Sequence, residues 1–172
     1  MRLRQFTISI LIGLAILAAM ATAAATAAQS QAQLVPFWGH TAGEVYYGNP
    51  GACTTQPLQT LSTSQGEVTH LGKSTLTTAH CASRDGSLAL GGQATFTAAN
   101  GDQIFATYTA HVVSFSPPLL VEQGEFTITG GTGRFERASG LVPFTVYVKV
   151  ISPPTADAKW PIELVFAGAM SY

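Results

Sequence analysis

The sequence predicts an all-β protein: a single eight-stranded antiparallel β-barrel behind a cleaved signal peptide. Three observations carry this. Beyond residue 28, no stretch repeats its apolar residues at the helical period, whereas apolar and polar residues alternate along run after run. The chain holds 17 glycines and abundant threonine, which suit turns and strands better than long helices. The runs are joined by short turns, and a set of this kind closes best as a barrel, which leaves no exposed edge. A β-sandwich is the competing arrangement.

Residues 1–28 read as a signal peptide. Arg2 and Arg4 form a short basic region, Ile8 to Met20 is apolar, and Ala25-Thr26-Ala27 matches a small-x-small cleavage site. An N-terminal membrane anchor is the alternative. No later run approaches the roughly 20 apolar residues of a membrane-spanning helix. The expected location is secreted or periplasmic, with no membrane association after cleavage. The barrel domain then occupies residues 34–172.

Strands are expected near Val35 to Tyr47, Leu58 to Gln65, Glu67 to Ala82 and Ser87 to Ala98 in the first half. Gln103 to Phe115, Leu119 to Thr129, Leu141 to Ile151 and Trp160 to Met170 complete the eight. In the third strand Val68, His70, Gly72, Ser74, Leu76 and Thr78 share a face. In the fourth, Ala94, Phe96 and Ala98 do so. Ala99-Asn100-Gly101-Asp102 is a hairpin turn, because Asn-Gly readily supplies positive φ. The returning strand places Ile104, Ala106, Tyr108, Ala110 and Val112 on one face. Pro117-Pro118 breaks the chain before the sixth strand, where Phe126 and Ile128 share a face. One helical turn is expected around Arg134 to Ala138.

Composition narrows the function classes. Charged residues make up 10% of the chain and hydrophobic residues 47%, which excludes a disordered protein. Loss of Arg2 and Arg4 with the signal leaves six basic against nine acidic residues, a net charge of −3. No basic stripe is available to neutralise phosphates, so nucleic acid is excluded as a partner. Cys53 and Cys81 are the two cysteines. In an oxidising compartment such a pair reads as one disulfide, two separate thiols being the alternative. A bridge requires both to lie at one barrel end, with Cα atoms about 4.4–6.8 Å apart.

Other motifs have structural readings. Thr77-Thr78-Ala79-His80-Cys81 resembles the segment around the catalytic histidine of chymotrypsin-like serine proteases. That chemistry also needs an oriented serine nucleophile and an oxyanion hole. No Gly-Asp-Ser-Gly-Gly follows, and the exported portion is too short for two barrels, so the protease reading is excluded. Gly130-Gly131-Thr132-Gly133 lacks the Lys and Ser/Thr of a phosphate loop. His40, His70, His80 and His111 show no metal-ligand spacing, so neither a metal nor another cofactor is expected.

The segment from Phe126 through Thr129-Gly130-Gly131-Thr132-Gly133-Arg134-Phe135 to Gly140 resembles the glycine-rich signature of the allene oxide cyclase and dirigent barrel superfamily. Thr97 to Asp102 and Gly66 to Lys73 resemble further elements of its exported bacterial members. The resemblance implies an allene oxide cyclase-like barrel, in which Gly130, Gly131, Gly133, Phe135 and Gly140 are structural. It also implies an isomerase or cyclase working through an apolar cavity, a held water and a carboxylate. The paired Asp and Arg residues of plant dirigent proteins do not carry over, because Arg84 is the one basic residue between Lys73 and Arg134.

Three functional readings follow. The first is a barrel that binds a small apolar molecule, with Phe96, Tyr108, Phe126 and Phe144 at the ligand. Its rival is an interior that these residues and Phe166 fill completely. The second is an isomerase or cyclase drawing its polar groups from Glu67, His70, Tyr108, His111 and Glu125. The third is a homo-oligomeric interaction barrel, in which Phe37, Trp38 and Trp160 serve as caps or as an interface.

Overall fold

Eight strands follow one another along the chain. They are β1 (Val35–Tyr47), β2 (Leu58–Val68), β3 (Gly72–Ala82), β4 (Leu88–Ala98), β5 (Gln103–Ser116), β6 (Leu119–Gly131), β7 (Ser139–Lys149) and β8 (Lys159–Ser171). The structure is a computed structural model describing residues 33–48, 50–54, 58–153, 155 and 157–172. The signal peptide expected over residues 1–28 lies outside them. Among the described residues no helix is long and apolar enough to cross a membrane.

Every strand pairs antiparallel with its chain neighbour, and β8 returns to pair antiparallel with β1. Phe37 then faces Gly168 across the closing seam, and Gly39 faces Phe166. The sheet is a closed barrel rather than a sandwich, so its strands have no unpaired edge. The alternation read from the sequence sets the interior. Leu76, Ala94, Phe96, Ala98, Ile104, Ala106, Tyr108, Ala110, Phe126 and Ile128 are all buried.

One strand boundary differs from the expectation. The sequence reading broke the chain at Gly66 and ran a single strand from Glu67 to Ala82. Instead β2 continues to Val68, and the chain turns through Thr69, His70 and Leu71. Gly66 serves close packing, not a turn: a Cβ there would lie 1.9 Å from the His40 carbonyl oxygen of β1. The turn is made by His70 itself, at φ 66, followed by Gly72 at the same φ. His70 therefore stands on no strand. The expected helical turn is a 3-10 turn at Gly133–Phe135.

The two barrel ends differ. The 69–71 turn, the 99–102 turn and the 132–138 connection gather at one end. There Leu71, Ala98, Phe135, Ala138 and Met170 are buried beneath them. The Arg134 guanidinium donates to the His70 carbonyl and lies 4.8 Å from the centre of the Phe135 ring. His70 Nε2 and the Pro36 carbonyl are 2.8 Å apart, and Tyr172 packs on both His70 and Phe135. This end is closed.

Above it Phe37, Phe96, Phe126 and Phe166 form a continuous ring cluster with centroids 5.2–6.1 Å apart. Phe37 is thus a core residue, while Trp38 beside it is exposed. The opposite end carries the disulfide. Cys53, in the β1–β2 connection, is bonded to Cys81 of β3 with Cα atoms 5.9 Å apart. The pair meets as the sequence reading expected.

Candidate functional site

The aromatic cluster fills only one half of the barrel. In the other half lies a cavity of about 440 Å³. A deeper recess of about 60 Å³ runs down to Tyr108, Phe126 and Phe144. Val45, Thr60, His80, Glu122 and Val148 line both, so the two are one continuous space. Trp160 and Tyr47 stand at its mouth with ring centroids 5.6 Å apart, and Trp160 donates to the Ser152 hydroxyl.

Strand periodicity places the polar groups. Ser74, Leu76, Thr78 and His80 follow one another down the inner face of β3, and Glu122 has the parity of Phe126 on β6. Tyr108 comes from β5, where backbone irregularity opposite makes room for it. The β4–β5 register shifts between Ala89 and Gly92. A Cβ on Gly92 would come 2.6 Å from the Tyr108 ring, so only glycine lets the ring lie flat on β4. Tyr108 also packs edge-on against Phe126 and Phe144, which fixes its plane.

The Tyr108 hydroxyl and His80 Nδ1 are 2.9 Å apart. Thr78 hydrogen-bonds the same phenol, and its own hydroxyl is 2.6 Å from that of Ser62. Burial depresses His80 from 6.5 to about 4, so the imidazole is neutral at neutral pH.

Burial raises the Tyr108 phenol; the Thr78 hydrogen bond opposes that rise and the nearby Glu122 carboxylate adds to it. Burial raises Glu122 itself, favouring its neutral acid form. Burial, followed by the charge of Glu122, raises Tyr47 as well. The floor of the cavity thus holds a neutral imidazole, a phenol and a carboxyl that burial pushes upward, each able to take part in a hydrogen bond. At the rim, Asp85 is held at about 2 by hydrogen bonds from Ser83 and Ser87.

Of the residues that the sequence reading singled out, Tyr108, Phe126 and Phe144 line the recess. Phe96 lies in the packed half, with no part in the cavity wall. Glu67 is exposed on β2, opposite His40 and Lys73. His70 is in the closed-end turn. His111 and Glu125 point outward and share a shallow depression of the outer surface. Gly130 and Gly133, at φ 140 and 57, shape the β6–β7 connection over Phe135.

The reading missed Glu122 and weighed His80 only as a protease or metal residue. Both were within reach of parity: Glu122 lies four residues before Phe126, and His80 two after Thr78. Among the described residues no three His, Cys, Asp or Glu side chains stand close enough to hold a metal ion.

The solved structure of the pterocarpan synthase dirigent protein GePTS1 is similar to this chain with a TM-score of 0.42 and 13% identity. The match covers 81% of this chain and 87% of that one. No protein-family model matches the chain, and no curated protein matches it in sequence.

Proposed function

We propose that this barrel is an exported protein that binds a small, mainly apolar molecule in its open half. The observation that carries this is the cavity of about 440 Å³, apolar in its walls and floored by His80, Tyr108 and Glu122. Ligand sites have this character: a concave apolar space of a few hundred Å³ with a few convergent polar groups. The Cys53–Cys81 bridge supports an oxidising compartment.

A fluorescence titration with the neutral dye N-phenyl-1-naphthylamine tests the reading. Saturable binding at one site is expected, and Val148→Trp, which fills the space that Val148 lines, should abolish it. Equal dye binding by the folded Val148→Trp variant would refute the site. Mass spectrometry of the native protein from its own host would identify a co-purifying occupant.

A second reading, an isomerase or cyclase, is favoured by Glu122. A carboxyl that burial pushes upward, beside an open apolar cavity, is suited to general acid–base work. It would give a proton to one substrate atom and recover one from another, so an isomerisation needs no co-reactant. The Tyr108–His80 pair would polarise an oxygen. The cavity would hold a flexible substrate in a reactive conformer. The resemblance of the Phe126–Gly140 segment to the allene oxide cyclase and dirigent superfamily supports this class.

A further inference from the structure

The sign of the cavity lining narrows the ligand class, given that the open half is a binding site. Its walls contain two carboxyl groups, Glu122 at the floor and Asp85 at the rim, and no Lys or Arg. The basic residues nearest in sequence are committed elsewhere or absent from the lining. Lys159 reaches the outer face, where it pairs with Glu44 at 3.3 Å and lies 5.9 Å from the Tyr46 ring. Lys149 and Arg84, beside the lining residues Val148 and Asp85, are exposed and do not line the cavity.

Glu122 has no hydrogen-bond or ion-pair partner among the described residues, although its neighbours Tyr108 and His80 bond each other. Its carboxyl is half-buried and faces the open cavity, so a bound molecule is the group placed to pair with it. Aromatic side chains line the same space. Tyr108, Phe126 and Phe144 form the floor, and Tyr47, Phe115 and Trp160 the upper wall. Rings attract a cation through their negative faces, and desolvation strengthens that attraction.

We infer that the ligand is an apolar organic cation, an amine whose ammonium group pairs with Glu122 while its hydrocarbon part fills the aromatic cavity. An apolar carboxylate of the same size is disfavoured, since it would bring a further acidic group into a space that already holds two carboxyls and no Lys or Arg. Burial raises Glu122 in the empty protein, and an ammonium group beside it would act in the opposite direction, favouring the charged form.

Three probes of one shape and different charge test this: phenylbutylamine, phenylbutanol and phenylbutanoate, titrated calorimetrically into the oxidised protein at neutral pH. The amine is expected to bind at least about tenfold tighter than the alcohol, and the carboxylate weakest. Glu122→Gln, which removes the charge and keeps the shape, should bring amine and alcohol together without weakening the alcohol. Equal affinities in the wild-type protein, or an amine preference that survives Glu122→Gln, would overturn the cation assignment while leaving an apolar binding site in place. Failure of all three probes to bind would overturn both the assignment and the binding reading on which it rests.

Discussion

His80 makes the stability of the protein depend on pH in a window that can be worked out. Burial lowers its pKa from 6.5 to about 4. Between those values the unfolded chain carries a proton on this residue that the folded chain rejects. Stability is therefore fully present above 6.5 and is lost as the pH falls towards 4. The span of the shift corresponds to about 3 kcal/mol, an upper figure because water can enter the cavity beside the ring. Glu122 acts in the opposite sense. Its raised pKa means that stability is lost as the pH rises through the folded value, so acidification relieves part of the His80 penalty. Asp85, held at about 2, loses its contribution only below its unfolded value of 3.8, beneath the His80 window. The decisive comparison is with His80→Gln, whose side-chain amide can still hydrogen-bond the Tyr108 hydroxyl but does not titrate. Urea unfolding of both proteins, from neutral pH down to about 4, should show the wild type losing up to about 3 kcal/mol more than the variant. Parallel profiles would refute the claim that His80 is buried and neutral.

The bridge between Cys53 and Cys81 spans 28 residues, so Cys53→Ala with Cys81→Ala should remove about 3.5 kcal/mol by loop entropy. For a domain of this size that lowers Tm by roughly 10 °C in calorimetry. Phe126→Ala removes a ring with no exposed surface that touches four other aromatic rings, and should cost about 3–5 kcal/mol in denaturant unfolding. Gly92→Ala places a methyl 2.6 Å from the Tyr108 ring. It should cost about 1–3 kcal/mol and alter the tyrosine region of the near-ultraviolet circular dichroism spectrum. Glu122→Gln should stabilise the empty protein at neutral pH, because it removes an acid that burial disfavours as an ion; a lowered Tm would count against that reading.

Alternation was enough to read the barrel, because an antiparallel strand with one face in the core repeats every second residue. Phe96, Ala98, Ile104, Tyr108 and Phe126 all went inward where that rule placed them. It failed at Gly66 to Gly72, where the glycine that looked like a turn is needed for close strand approach and a histidine adopts positive φ. Local sequence contains nothing to say that the His40 carbonyl, 26 residues away, will lie against Gly66. The cavity was illegible for a similar reason. Whether a set of inward aromatics fills a barrel depends on how deep each ring sits: Phe96 and Phe166 pack with Phe37 in the closed half, while Tyr108, Phe126 and Phe144 line the recess and leave the space above them open. Glu67 and Glu125 drew attention as carboxylates on strands, yet their own parity placed both outside. Glu122 shares the parity of Phe126 and lies inside.

The two halves of the barrel follow opposite design rules. In the closed half, apolar rings pack against one another and Arg134 pins the β2–β3 turn through the His70 carbonyl; the local costs there are His70 at positive φ and the buried Ser74 hydroxyl without a partner among the described residues. In the open half the same strands carry groups that a stable core avoids: a carboxyl without a partner, an imidazole that must stay neutral, and a phenol seated over a glycine bulge. Each of these costs stability, and hydrophobic side chains of similar volume on the same parity would remove the cost. Such unfavourable groups gathered on one floor, beneath a space large enough for a small molecule, mark the place where the fold departs from its own packing rules. The rigid aromatic half below holds Tyr108 through Phe126 and Phe144, so the polar floor is fixed before any ligand arrives.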